Sequence, residues 1–258
     1  MEIYQGIILG AVQGLAEFLP ISSSGHLSLL SRLFGIYENT LFYSVMLHLG
    51  TLIPIIIILR KKILGLIKSP ILFFNLILAT IPAGIIGIIF SKLLNVDILF
   101  EKMPILLSIT FLITAVEMFL CQKISNKKSL INPINKKTAF IMGCGQAVGV
   151  LTGISRSGST ILFGNIAGVK REQNADFTFL MSIPIILSAV LLESFDLATC
   201  GVPIKIDFLP LFFGVISASV FGYISISFML SAIKKANYKW FGFYMIFISI
   251  VNFVACLI

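Results

Sequence analysis

The stretch Gln13-Gly14-Leu15-Ala16-Glu17-Phe18-Leu19-Pro20-Ile21-Ser22-Ser23-Ser24-Gly25-His26 sets a carboxylate, three consecutive hydroxyls and one of two histidines inside apolar surroundings. An ionisable group at the centre of a bilayer costs about 2.5–3.5 kcal/mol on insertion scales, so such a cluster marks a functional site. Gln13 and Glu17 are four residues apart and share a helix face. Proline disfavours helix at the residue before it, so the helix breaks at Leu19-Pro20. Ser22, Ser23 and Ser24 then approach the start of a second helix, and His26 lies a turn inside it. A carboxylate so placed can orient a histidine, hold a metal or accept a proton. The hydroxyls can attack or bind oxygens, and the imidazole can move protons or take up a phosphoryl group.

A second polar stretch reads Thr152-Gly153-Ile154-Ser155-Arg156-Ser157-Gly158-Ser159-Thr160. An arginine flanked by Ser and Gly at a helix start suits phosphate, because it combines a planar donor fork, hydroxyls and backbone N–H groups at the positive end of the dipole. Ser22, Ser24, Ser155, Ser157, the Gly158 N–H and Thr160 are therefore candidate phosphate-binding donors, with Gln13 beside the acid. Glu17, Ser23, His26 and Arg156 together suit phosphoryl transfer to water, where positioning and charge neutralisation do most of the catalysis.

The elements that must bring these groups together belong to a membrane protein. The 258 residues are 58% hydrophobic and 12% charged, with a mean hydropathy of +1.05, more apolar surface than a soluble core can absorb. The cysteines Cys121, Cys144, Cys200 and Cys256 form no CxxC pair, which argues against a zinc site or a disulfide framework. No Lys or Arg precedes Arg32, so the basic n-region of a cleaved signal peptide is not expected. The net charge of +8 sits in loops between apolar runs and reports orientation, not a nucleic-acid partner.

Six uncharged or nearly uncharged runs, 41–59, 71–91, 103–121, 177–192, 208–232 and 240–258, are candidate transmembrane helices. The loops holding Arg60 to Lys68, Lys123 to Lys137 and Lys234 to Lys239 face the cytoplasm by the positive-inside rule. Those around Ser91 to Lys102 and Glu193 to Asp207 face outward. This alternation survives only if residues 138–170 enter from the cytoplasm and return; as helix they would span about 50 Å, against about 30 Å for one crossing. Residues 1–30 must likewise dip in from the outer face. A shift of 133 lays Gly10, Gln13, Ile21, Ser22, Ser24 and Gly25 on Gly143, Gln146, Ile154, Ser155, Ser157 and Gly158, and a shift of 130 lays Ile53-Pro54-Ile55-Ile56 on Ile183-Pro184-Ile185-Ile186. The expected fold is thus a single all-α polytopic membrane domain over 1–258, with six transmembrane helices and two re-entrant helical hairpins in an inverted-topology repeat, roughly 1–125 and 136–258. Non-helical backbone at membrane depth must be enclosed by protein or water, so the two hairpin tips should meet near the midplane.

These two motifs, in this order and over essentially the whole chain, resemble the signatures of undecaprenyl-diphosphate phosphatases of the BacA type. The resemblance implies a bacterial plasma-membrane enzyme that cleaves undecaprenyl diphosphate to the monophosphate and phosphate at the outer face. That reaction recycles the carrier lipid for peptidoglycan synthesis and confers bacitracin resistance. Glu17, Ser23, His26 and Arg156 match the family's catalytic positions, Gln13 a position that takes Glu or Gln, and Ser22, Ser155 and Thr160 its polar supporting positions. The family usually has Pro-Gly before the second motif where this chain has Thr152-Gly153. The resemblance also implies a divalent cation, Mg2+ or Ca2+. Glu17 is the one obvious intramembrane ligand, so the ion would be held largely by diphosphate and water. Phosphoserine, phosphohistidine and direct attack by water all fit the residues.

Outside the motifs, His48 lies mid-span with no acid nearby in sequence and reads as a packing histidine. Glu117 reads as a structural group near the cytoplasmic end of its span, within reach of Lys123. The phenylalanines read as lipid-facing or packing surface, and Trp240 with Tyr238 as an interfacial belt. A transporter or flippase for an anionic lipid uses the same architecture, but has no need of an adjacent acid, imidazole and hydroxyl. The sequence is compatible with a homodimer.

Overall fold

The computed structural model describes residues 1–37, 40–94, 96–127, 130–199 and 207–257. Those residues form eleven α-helices: α1 Ile3–Phe18, α2 Ser23–Leu33, α3 Thr40–Lys68, α4 Pro70–Ile88, α5 Val96–Lys102, α6 Ile105–Lys127, α7 Lys136–Val148, α8 Arg156–Ile166, α9 Arg171–Thr199, α10 Phe208–Lys234 and α11 Lys239–Ala255. A π-helical turn, Ile89–Leu93, extends α4, and the one β contact among the described residues is a bridge between Asn132 and Val169. The chain is an all-α membrane protein. The helices α3, α4, α6, α9 and α10 are long and apolar enough to cross a bilayer, while α11, at 17 residues, is about 25 Å long. Side chains such as Ile56, Phe74, Phe212, Phe228 and Phe247 stay half-exposed or more on the outer surface, as a lipid-facing surface requires.

Several expected boundaries move. α9 begins at Arg171, ahead of the apolar run expected from 177, and stays helical to Thr199. The loop expected from Glu193 therefore starts later, and its residues 200–206, with Cys200, lie outside the described residues. The loop expected around Ser91 to Lys102 contains α5. α6 continues to Lys127, and residues 128–129 of the basic loop after it are not described.

Two helical hairpins organise the interior. Leu9 packs with Leu27 and Tyr4 meets Phe34 edge-on, so α1 and α2 run antiparallel. Between α7 and α8, Gly145 faces Phe163 and Ser159, and Gly149 faces Arg156. Each second arm is only 11 residues, or about 16 Å.

α1 lies along α10 at backbone contact. A Cβ on Gly6 would sit 2.2 Å from the Pro210 carbonyl oxygen, on Gly10 2.1 Å from that of Gly214, and on Gly14 2.4 Å from that of Ala218. Glycine every fourth residue clears one face for close approach, which in lipid replaces the missing hydrophobic drive between helices. Gly10→Ala is accordingly expected to destabilise the protein by about 1–3 kcal/mol through overpacking, read as a lower thermal midpoint in detergent. Gly84→Ala, where no atom lies within 4 Å of the added Cβ, serves as the neutral control.

The two ends of the bundle differ. At one, Lys62 pairs with Asp176 at 2.8 Å, and Lys136 and Lys239 sit over the rings of Phe74 and Trp240. At the other, the N-terminal ammonium pairs with Asp207 at 2.6 Å, and the Asp207 N–H donates to the Tyr43 hydroxyl oxygen at 2.8 Å. Tyr238 is fully buried in the core beside Met229 and Ile233, so it is a packing residue and not part of the aromatic belt expected for it with the exposed Trp240.

Candidate active site

The hairpin tips meet face to face. Ser157 Oγ donates to the Leu19 carbonyl oxygen at 3.2 Å, and a Cβ on Gly25 would lie 2.9 Å from Gly153 Cα. Gly153 has φ +91°, and a Cβ there would strike Thr110 Oγ1 at 1.9 Å; only glycine lets this turn close on α6. The turn is tied down further by Thr114, which donates to the Gly153 carbonyl oxygen at 3.2 Å and accepts the Ser155 N–H at 3.1 Å.

Local capping sets the two helix starts. Ser155 Oγ accepts the Gly158 N–H at 3.1 Å, and Ser22 Oγ accepts the Gly25 N–H at 3.3 Å. Ser22 holds φ at 64°, a left-handed conformation that costs a non-glycine residue about 1–3 kcal/mol and typically sits at functional sites. Both helices then aim their positive N-terminal ends at the meeting point.

Glu17, buried at the C-terminal end of α1, is where the tips converge. Its Oε1 takes the Arg156 guanidinium Nη2. Its Oε2 accepts Ser23 Oγ at 2.6 Å and Gln13 Nε2 at 3.0 Å, with His48 Nε2 at 3.3 Å. A cavity of about 250 Å³ opens beside this cluster, lined by Glu17, Ser23, His48, Ser155, Arg156 and Ser157 among others. Ser22 and Ser24 also line it, with their hydroxyls 3.5 Å apart. A second cavity shares Ser24, Ser44 and Thr152 with the first and continues along Ser28, Ser31 and Arg32.

The remaining expected site residues lie further back. His26 is buried and absent from the cavity wall. Its Nδ1 lies 2.8 Å from the Ser22 carbonyl oxygen, which can only accept, so Nδ1 carries the proton. Its Nε2 then accepts from the Tyr244 hydroxyl at 2.8 Å, and the two rings stack. Gln13 stands behind Glu17 with Oε1 unpartnered. The Gly158 N–H is spent on the cap, and Thr160 Oγ1 donates to the Arg156 carbonyl oxygen at 2.8 Å, within its own helix.

One residue read as structural from the sequence proves to line the site, and a second finds a partner other than the one expected. His48 is no packing histidine: it lines the cavity against Glu17. Glu117 does not reach toward Lys123; it is buried, with Ser159 Oγ 2.9 Å from both carboxylate oxygens. The default that an ionisable group inside the membrane marks a site would have found His48. Ser159→Ala is expected to destabilise the fold by about 1–3 kcal/mol by stripping this buried carboxyl of its donor, a loss visible in the thermal midpoint.

No group of three or more His, Cys, Asp or Glu side chains that could hold a metal occurs among the described residues. Glu17 in addition has its oxygens engaged by Arg156, Ser23, Gln13 and His48. This donor set does not fit a cation ligated by protein.

Two helical hairpins that abut tip to tip inside an all-α membrane bundle, with an acid, a hydroxyl and a guanidinium at the contact, define a polytopic membrane protein with a buried polar site. The chain belongs to the family described as bacitracin resistance protein BacA, whose model matches residues 6–251. It is 38% identical over 251 residues to an undecaprenyl-diphosphatase of Carboxydothermus hydrogenoformans, covering 95% of this chain and 94% of that protein. It is 40% identical over 266 residues to the undecaprenyl-diphosphatase of Treponema denticola, with the same coverage. It is 39% identical over 247 residues to undecaprenyl-diphosphatase 3 of Bacillus cereus, again covering 95% and 94%.

Proposed function

We propose that the chain hydrolyses undecaprenyl diphosphate to undecaprenyl phosphate and inorganic phosphate in the bacterial plasma membrane, recycling the carrier lipid for peptidoglycan synthesis and conferring bacitracin resistance. The observation that carries this reading is the convergence of the Ser23 hydroxyl and the Arg156 guanidinium on the one Glu17 carboxylate, beside a cavity at two helix N-termini. A cavity of about 250 Å³ accommodates a diphosphate headgroup, and the polyprenyl chain then lies outside it.

Arg156, Ser155 and those first-turn N–H groups of α2 and α8 that the serine caps leave open hold the diphosphate. Ser23 Oγ attacks the terminal phosphorus and its proton passes to Glu17. The bond from that phosphorus to the bridging oxygen breaks, and undecaprenyl phosphate leaves with the electron pair. Water hydrolyses the phosphoserine, releasing phosphate and returning the proton to Ser23. His26 holds the turn, through the Ser22 carbonyl, that presents Ser23. Any divalent cation would be held by the diphosphate and water and not by these side chains.

A single domain with an inverted repeat is supported by the helix pairing. α1 packs on α10 as α7 packs on α4, and α3 with α9 and α6 with α11 pair across the halves. Gly10 against Gly214 and its repeat counterpart Gly143 against Ala79 make equivalent close approaches. In this topology α1–α2 and α7–α8 are re-entrant and α11 is the sixth span. The end with Lys62, Lys136 and Lys239 is cytoplasmic, and the Arg32 cavity opens outward. Both tips come from one chain, so a homodimer is not needed for the chemistry.

Purified protein given a polyprenyl diphosphate in detergent is expected to release phosphate. Background-level release, with the same lipid crossing the bilayer of reconstituted vesicles, would replace the phosphatase by a flippase.

A further inference from the structure

We infer that His48 is a further substrate-contacting residue: the incoming diphosphate takes over from Glu17 as the partner of both His48 and Arg156, and so frees the carboxylate to accept the Ser23 proton. The inference rests on the phosphatase reading and deepens it.

The imidazole is held from behind. Its Nδ1 lies 2.7 Å from the Ser44 carbonyl oxygen, an acceptor only, so Nδ1 donates. Its Nε2 faces Glu17 Oε2 at 3.3 Å, and two acceptors do not face each other at that distance without a proton between them. His48 therefore presents a donor edge to an anion. Its side chain is 20% exposed where that of Glu17 is 3% exposed, so the ring reaches the cavity more openly than the acid does. Glu17 and Arg156 are the charged residues on that cavity wall. His26 differs in kind: both of its nitrogens are committed to Ser22 and Tyr244.

The crowding on Glu17 supplies the second half of the argument. Oε2 has two in-plane lone pairs and three donors within reach, Ser23 at 2.6 Å, Gln13 at 3.0 Å and His48 at 3.3 Å. Oε1 is occupied by Arg156. So engaged, the carboxylate is held as the ion by every donor around it, although the Ser23 hydrogen bond already points at the oxygen that is to take the proton. His48 is its most distant partner, and Arg156 reaches it from the opposite hairpin. A diphosphate in the cavity offers both of them more negative charge and more acceptor oxygens than Glu17 does. Exchange of these two partners leaves Oε2 with Ser23 and Gln13 for its two lone pairs and takes the guanidinium off Oε1, so less positive charge opposes arrival of the Ser23 proton while Gln13 still holds the acid in place. The carboxylate thus stands in for the substrate until the substrate arrives.

The test compares wild type, His48→Ala, His48→Gln and Ser23→Ala as monodisperse protein in detergent. It measures kcat and KM for a polyprenyl diphosphate and the Kd of its non-hydrolysable methylene-bridged analogue. His48→Ala is expected to lower kcat/KM and weaken analogue binding by about 10- to 100-fold, the range of one charge-assisted hydrogen bond. His48→Gln retains a side-chain N–H donor and is expected to recover most of that loss, to within about fivefold of wild type. Analogue binding by His48→Ala equal to wild type would overturn the inference, as would a loss in His48→Gln as deep as in His48→Ala. In either case turnover by wild type with an inactive Ser23→Ala leaves the phosphatase reading standing. No turnover by wild type itself refutes that reading instead.

Discussion

Arg156→Ala is expected to lower phosphate release about 1000-fold or more, the scale on which phosphoryl-transfer sites lose activity when a charge-stabilising arginine is removed. Arg156 is the first residue of α8 and the one cation contributed by the second hairpin to the cavity, so the variant leaves the diphosphate without its guanidinium fork. The substitution acts on the empty protein as well. Glu17 is buried and pairs with Arg156 across the tips, and stripping a buried ion pair of one partner typically costs about 3–5 kcal/mol. His48 and Ser23 remain as donors, so the folding cost should fall at or below that range. Arg156→Lys separates the two effects. A lysine keeps the charge for Glu17 but not the planar fork, so thermal stability should stay near wild type while turnover still drops about 10- to 100-fold. A lysine variant with full activity would show that charge alone, without geometry, holds the diphosphate.

The meeting of Glu17 and Arg156 was legible in the sequence because two independent signals required it. The basic loops forced residues 1–30 and 138–170 to enter and return, and the repeat between them placed Ser22 on Ser155 and Ser24 on Ser157. In the structure these serines occupy the same roles, with Ser22 and Ser155 as N-caps. Helix existence followed from long apolar runs, whereas helix ends did not. α9 begins at Arg171, with Glu172 in its first turn, just after Lys170 donates its N–H to the Asn132 carbonyl at 3.1 Å, a tertiary contact that the apolar run from 177 does not announce.

The surroundings of His48, Glu117 and Tyr238 were not legible for a shared reason. Each was weighed against its neighbours in sequence, and each finds its surroundings on another element: His48 on α1, Glu117 on α8 through Ser159, Tyr238 in the core between α6 and α10. His26 shows the converse. Its motif position marks it as reactive, yet Tyr244, from the last helix, closes its second nitrogen, and no local pattern announces that contact. Polar groups inside a membrane bundle are thus readable as a set from the sequence, while their pairing is decided by the tertiary fold.

Ser23→Ala is expected to abolish turnover to about the same extent as loss of Arg156, 1000-fold or more, because it removes the attacking atom and not merely a contact. Ser23 is the one hydroxyl that donates directly to Glu17, at 2.6 Å, and it lines the cavity. Ser22 and Ser24 beside it are turned to each other. A hydroxyl paired with a carboxylate at that distance can lose its proton along the existing hydrogen bond as the new bond to phosphorus forms. The covalent step has its own signature. Rapid mixing of wild type with a polyprenyl diphosphate labelled in the terminal phosphate should leave label on the protein after an acid quench, and the label should be absent in Ser23→Ala. Ser24→Ala should still acquire it, since Ser24 only lines the wall. Label persisting in Ser23→Ala would move the nucleophile to another side chain. Turnover by Ser23→Ala within about tenfold of wild type, with no label in either protein, would instead mean that water attacks phosphorus directly and that Ser23 only orients the carboxylate.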